Sequence, residues 1–415
     1  MKDTVIFNVR IVTPHSVIER GTVTVTGGRI ASLVGGQSRR GPDTIDGQGL
    51  LLLPGFIDLH NDGIEQEIEP RPHAVFPLSI AFASLESKLV SHGITTIFHS
   101  FSFMDGREGT LHPEGLEPAI RELNKLRRTG VIRHLVHARY EMVETHHFER
   151  LRRLIDDWQL SLVSFMDHTP GQGQYRNVQG LVSYYVRKYH AELSEIDAMI
   201  KEREKKAGNP AVNETLERLA AHARGAGLAL ASHDDDTPEK VARMKRLGVT
   251  ISEFPVSMSA ALAASQCGMH VAVGAPNVLR GLSTNGNLSA LEAIGSNAVD
   301  ILCSDYYTPS ILHSVFRLAR EKVMALADAV RMASANPARA AGLDAELGSL
   351  EVGKRADMIL VSESAGTPSV VAAWVGGHRV YEKHDGVRNA MGDRWAAEAV
   401  RTEQVRTEQE APHAS

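Results

Sequence analysis

The stretch LLLPGFIDLHND, residues 51–62, decides how this chain is read. Its long apolar run suits a strand buried on both faces, as in a parallel sheet, and it ends abruptly in His60, Asn61 and Asp62. On an extended backbone His60 and Asp62 project to the same side, roughly 6.6 Å apart along the chain, where one cation can be gripped by both. Such spacing also arises by chance on loops, so the pair needs support from elsewhere.

Seven further apolar runs follow between residues 93 and 306: GITTIFHS, VIRHLVHARYE, LSLVSFMDH, GLALASHDD, GVTISEFP, MHVAVGAP and VDILCSDY. Helical stretches separate them, the pattern of repeated βα units. Eight parallel strands in roughly 250 residues match an α/β, TIM-like (β/α)8 barrel, although a doubly wound sheet could also use eight. The polar residues favour the barrel. Strand after strand ends in His, Asp or Glu, and a barrel gathers those ends around one mouth.

Outside this region the pattern is small and all-β. VIFNVRIV, GTVTVT and RIASLV precede it, the last two joined by Gly27 and Gly28; ADMILV, VVAAWV and HRVYE follow it, with Gly376 and Gly377 before the last. Neither group makes a stable sheet alone, so the two ends are expected to meet in one small β-sandwich. The expected division is a sandwich from 1–50 and 345–390, a barrel over 51–344 with a helical cap near 169–213, and a polar tail at 391–415.

Among 415 residues, 43% are hydrophobic and 23% charged, ordinary values for a globular chain with a large core. A net charge of −5 supplies no general field for nucleic acid, so any anion site must be local. Cys267 and Cys303 form no CxxC pair, which argues against a thiolate zinc site or disulfide framework and fits a reducing cytoplasm. The opening MKDTVIFNVRIV alternates like a strand rather than a signal peptide, and no run has the length of a membrane span, so neither export nor a membrane partner is expected. Self-association is left open.

Several strand ends carry chemistry. In VHARYEM, His137, Arg139 and Glu141 alternate onto one face; Glu141 could bridge two metals, or simply pair with Arg139. His168 and His233 each end an apolar strand, the second preceded by the small residues Ala229 and Ala231, which leave room at the centre. A lone histidine there is usually a satisfied core residue, but two such strands argue for ligands. Asp305 ends the last strand, where a carboxylate can bind metal and accept a proton from water. The metal set is therefore His60, Asp62, Glu141, His168, His233 and Asp305, suited to one or two divalent ions such as zinc, manganese or iron. Glu253 is a ligand or a surface carboxylate, and His99 ends the second strand without a defined role. His92, His112, His146, His147, His190, His222 and His270 receive none.

These residues resemble the amidohydrolase superfamily, with its metal motif on strand one, later histidine ligands, an Asp on strand eight and a sandwich built from both chain ends. NPARAAGL followed by GSLEVGKRADMILV is similar to that superfamily's exit from the barrel. HND followed by EPRP, with SFMDHTPGQGQY, ASHDDDT, EFP, GAPNVLRG and CSDYY, looks like one branch, the α-D-ribose 1-methylphosphonate 5-triphosphate diphosphatases of the carbon–phosphorus lyase pathway. The resemblance implies hydrolysis of a ribosyl 5-triphosphate to the 5-phosphate and pyrophosphate. It departs from the superfamily where Asp62 replaces the second His of HxH and Glu253 stands in place of a strand-six His, and GIEQEIEPRP is acidic for a neighbour of a triphosphate.

A phosphorylated small molecule needs local cations and donors, because the developing charge must be stabilised. Arg71, Arg176 and Arg280 are the candidates, each otherwise a surface arginine, with Arg139, Gln172 and Asn285 as further substrate contacts. Arg187 and Lys188 could add charge from the cap. The competing readings are a hydrolase of N-acyl or cyclic amides using the same centre, and a barrel scaffold without catalysis.

Overall fold

A computed structural model of the chain describes residues 3–36, 44–71, 73–105, 113–175, 178–179, 181–182, 186, 192–281, 287–364 and 366–383. Its centre is a parallel eight-stranded sheet: β6 (Phe56–Asn61), β7 (Ile94–Phe103), β8 (Arg133–Glu141), β9 (Leu162–Met166), β10 (Ala229–His233), β11 (Ile251–Glu253), β12 (His270–Gly274) and β13 (Ile301–Cys303). Each strand pairs with its sequence neighbours, in the order β13 to β6. The ring closes between its ends. Asn61 bridges Asp305 in parallel, Asp305 N–H donates to the His60 carbonyl at 3.0 Å, and Asp62 N–H donates to the Asp305 carbonyl at 3.0 Å. The barrel expectation holds, and closure itself sets the first motif beside the last.

Strand alternation sorts the side chains into two cores. Ile57, Phe98, Leu162, Ala231, Ile251 and Ala272 fill the barrel interior, one from each of six strands. Ile97, Phe101, Val136, Ala138 and Phe165 face the surrounding helices. His99 belongs to this outer layer: its Nε2 lies 2.9 Å from His134 Nδ1, the two rings stack with centroids 5.2 Å apart, and His134 Nε2 lies 2.9 Å from Glu86. It therefore points away from the mouth and braces the helix Leu78–Ser91.

The second sheet joins both ends of the chain. β1 (Thr4–Val12), β2 (Val17–Thr26), β3 (Arg29–Gly35), β4 (Thr44–Asp46) and β5 (Leu51–Pro54) come before the barrel, and β14 (Met358–Ser364), β15 (Thr367–Val375) and β16 (His378–Glu382) come after it. The order is β16-β15-β14-β5-β1-β2-β3, with β4 beside β1. One set of alternating residues, including Ile11, Val23, Leu52, Met358 and Trp374, makes a separate core, while Leu51, Leu53 and Ile359 join the core around the barrel. Gly27–Gly28 and Gly376–Gly377 all have positive φ, the two-residue hairpin turns expected of them.

One expectation changes. LLLPGFIDLH is two strands, not one: LLLP pairs with β14 and β1 in the end sheet, and FIDLHN starts the barrel. Gly55 lies at the break. A Cβ there would stand 2.3 Å from Thr95 Oγ1, so the chain passes against β7 at a separation only glycine tolerates. No helix among the described residues is long and apolar enough to cross a membrane. Of the expected cap, the helix Leu193–Ala207 is described; Arg187, Lys188 and the tail 391–415 lie outside the described residues.

Candidate metal centre

Four of the expected ligands converge at the C-terminal end of the barrel. Donor atoms of His60, Asp62 and Asp305 lie within 4.8 Å of one another, and so do those of His60, His233 and Glu253. His60 is common to both groups. Its Nδ1 is 3.5 Å from Glu253 Oε1 and its Nε2 is 3.7 Å from Asp62 Oδ1. Glu253 is fully buried, and neither of its carboxylate oxygens has a hydrogen-bond partner; His60 Nδ1 also has none. A buried, unpaired carboxylate is costly, and these orphaned atoms all point into one small space. Two donors on a tetrahedral ion with bonds of about 2.0–2.1 Å stand roughly 3.3 Å apart, close to the spacing seen here. The residues therefore fit a divalent cation.

Electrostatics give the same picture. Burial pushes the Glu253 carboxyl well above its usual range against the pull of Arg139, and burial together with Arg139 holds His60 neutral, the form that ligates. Asp305 is raised to about 7, chiefly by burial and then by the nearby Asp62. Arg139 is the counter-charge. It is buried, donates to both Asp62 oxygens at 3.3 Å and to His233 Nε2 at 3.2 Å, and the cost of burial is outweighed by Asp62, Glu253 and Asp305, which hold its charge more firmly. His233 Nε2 faces Arg139, and its Nδ1 lies 3.1 Å from Asp234 Oδ2.

Backbone strain marks the same rim. Asp234, Phe254 and Asp305 have φ of 55°, 53° and 56°, each immediately or shortly beyond a strand end. Each donates its N–H to a neighbouring strand: Asp234 to Glu253 O at 2.9 Å, Phe254 to Ala272 O at 2.8 Å, Asp305 to His60 O. Left-handed non-glycine residues cost of order 1–3 kcal/mol each and persist where surroundings over-determine them, commonly at functional sites.

Glu141 and His168 are placed differently from the other four. His168 Nδ1 lies 2.5 Å from Glu141 Oε2 and its N–H donates to Glu141 Oε1 at 3.1 Å, so they pair with each other and belong to neither donor group with His60. Arg139 pairs with Asp62, not with Glu141. His137 is a satisfied core residue. Its Nδ1 lies 3.0 Å from Leu59 O and its Nε2 2.8 Å from Ser164 Oγ.

Of the expected substrate contacts, Arg71 is exposed and bridged through its backbone to Ala74, and Gln172 donates to Asp167 at 2.7 Å. Arg280 reaches the Tyr306 hydroxyl at 3.5 Å, next to Asp305. Arg176 and Asn285 lie outside the described residues. A cavity of about 210 Å³ opens beside the centre, bounded by Arg139, His233 and Asp305 and by the amides Gln174, Asn277 and Asn287, the last two at the ends of the run NVLRGLSTNGN that carries Arg280.

Asp58 supports the centre from behind. It is wholly buried, accepts from the backbone N–H of Ser304 at 3.1 Å and of His60 at 3.3 Å, and takes the Ser304 hydroxyl as well, tying β6 to the end of β13. Burial raises its carboxyl to about 7, against those hydrogen bonds. Asp58→Ala strands three buried donors, so a loss of roughly 1–3 kcal/mol per unpaired group is expected. Denaturant unfolding will show it as a lower midpoint; an unchanged midpoint would remove Asp58 from this bracing role.

Residues 51–380 match the amidohydrolase family. The chain is 36% identical over 384 residues, 91% of its length and 100% of the relative's, to the alpha-D-ribose 1-methylphosphonate 5-triphosphate diphosphatase of Escherichia coli strain K12. Among solved structures it is similar to N-acetylglucosamine-6-phosphate deacetylase from Pasteurella multocida, with a TM-score of 0.63, 14% identity and coverage of 91% of this chain and 99% of that one. A Xaa-Pro dipeptidase with bound methionine also gives a TM-score of 0.63, with 15% identity over 92% of this chain and 100% of that one. The structural likenesses establish the shared fold, and the family match together with the full-length relative places this chain in the amidohydrolase family.

Proposed function

We propose that this chain hydrolyses α-D-ribose 1-methylphosphonate 5-triphosphate, or a closely related ribosyl triphosphate, to the 5-phosphate and pyrophosphate. The observation that carries this reading is the likeness to the Escherichia coli diphosphatase over that protein's whole length. His60, Asp62, His233, Glu253 and Asp305 would hold the divalent ion, zinc, manganese or iron. When bound, that ion supplies Lewis acidity that favours a nucleophilic water and polarises the attacked phosphoryl group.

The protein's own groups do the rest. Asp62, Glu253 and Asp305 bring three negative charges and Arg139 one positive, so a single divalent ion leaves this set neutral. Asp305, at the end of the last barrel strand and grouped with His60 and Asp62, would take the proton from water as oxygen attacks the phosphorus nearest the ribose. The bond from that phosphorus to the bridging oxygen breaks, and pyrophosphate leaves. Arg280 and Tyr306, together beside Asp305, offer donors to the departing phosphates, with Arg71 further out at the surface.

The test is release of pyrophosphate from the ribosyl triphosphate by purified, metal-loaded chain, run beside hydrolysis of N-acyl amino acids and cyclic amides. Pyrophosphate release is expected. Turnover of the amides alone would replace this reading with amide hydrolysis, and absence of both activities and of bound metal would favour a scaffold. A soluble cytoplasmic setting is part of the proposal.

A further inference from the structure

A second set of donors stands at the mouth of the barrel, on residues the hydrolytic reading does not use. Asp105 lies just beyond β7, and His146 and His147 form the end of a short 3-10 turn, Thr145–His147, beyond β8. Two consecutive loops therefore meet on the face that carries the central site. Donor atoms of the three residues lie within 4.8 Å of one another and share no residue with the groups around His60. Nε2 of His146 and Nε2 of His147 are each 3.2 Å from the same oxygen, Asp105 Oδ1. Ligands of a tetrahedral ion with bonds of about 2.0–2.1 Å stand roughly 3.3 Å apart, so an ion fits among these atoms with little backbone movement.

We propose that Asp105, His146 and His147 form a second divalent-metal site, distinct from the central one, that takes zinc or a similar transition-metal ion. Two imidazoles and one carboxylate select such an ion over magnesium or calcium, which prefer oxygen throughout. Three protein donors leave a position for water or a ligand oxygen. Glu144 Oε2 lies 3.7 Å from His146 Nδ1, behind the ring, where an outer carboxylate orients a metal-binding histidine. Lys206, from the helix Leu193–Ala207, binds both Glu144 oxygens at 3.0 Å and comes within 3.9 Å of Asp105. Its charge offsets one carboxylate, and the pair keeps a net negative charge of one to receive the cation. An ion here would join two barrel loops where that helix docks.

The full-length chain is stripped with chelator, loaded with zinc, desalted and analysed for zinc per chain, with thermal unfolding recorded with and without chelator. His146 is exposed, so His146→Ala is expected to unfold like the parent in chelator, yet to carry one zinc fewer or bind that zinc at least about 100-fold more weakly. His60→Ala separates the two sites. Zinc that persists in His60→Ala and is lost on adding His146→Ala supports the proposal; equal zinc content with and without His146→Ala in both backgrounds overturns it. Should His146→Ala unfold differently in chelator, Asp105→Asn is read by the same criterion.

Discussion

Glu253→Gln will cut pyrophosphate release by at least about a thousandfold, because the barrier loses the several kcal/mol that a correctly held divalent ion provides. Both Glu253 oxygens are buried without hydrogen-bond partners and face His60 and His137 at 3.5 and 3.7 Å. Glutamine keeps the shape and removes the charge. Zinc analysis will show less metal at the centre, and the stability of the metal-free protein will move the other way: an unpaired buried carboxylate is replaced by a neutral amide, so the chelator-treated variant will melt above the parent. Loading with metal will raise the melting point of the parent more than that of the variant, which keeps only the donors outside the centre. Parental turnover together with parental metal content in Glu253→Gln would take Glu253 out of the ligand set.

Arg139→Met has the opposite effect on the metal-free protein. The guanidinium is buried, spans both oxygens of Asp62 and reaches His233, with Glu253 and Asp305 close enough to strengthen its charge. Its loss leaves three carboxylates without a counter-charge, and breaking such a buried pairing costs about 3–5 kcal/mol. Chelator-treated Arg139→Met should unfold at clearly lower denaturant than the parent, and turnover should fall as Asp62 and His233 lose their common anchor. Arg139→Lys will recover little of that turnover, since one ammonium cannot reproduce a fork that serves two partners. Full turnover in Arg139→Lys would mean that charge alone matters at this position.

The barrel was legible because its strands are buried on both faces and read as apolar runs, with chemistry concentrated at their ends. His60, Asp62, His233 and Asp305 carried that cue, and closure of the ring brings them together. Glu141 and His168 carried the same cue, and at adjacent strand ends they pair with each other. Glu253 was ambiguous in sequence because a carboxylate after a short strand resembles a surface group; its complete burial belongs to three dimensions. The split of residues 51–61 into two strands was hidden for a similar reason. Gly55 looks like an ordinary loop glycine until Thr95, forty residues on, is placed against it. His146 and His147 offered no periodic signal, and their partner Asp105 is supplied by a different loop.

The pairing of β5 with β1 on one side and β14 on the other has a consequence for how the molecule is made. During synthesis β5 emerges with only one of its partners; the other is translated about three hundred residues later, after the whole barrel. Until then its second edge stays open, and an open apolar edge invites pairing with another chain. A nascent or truncated form that stops after β13 therefore carries a ready-made site for aggregation. The last strands serve as a late closure, and loss of even this small C-terminal portion should harm folding yield out of proportion to the surface it buries.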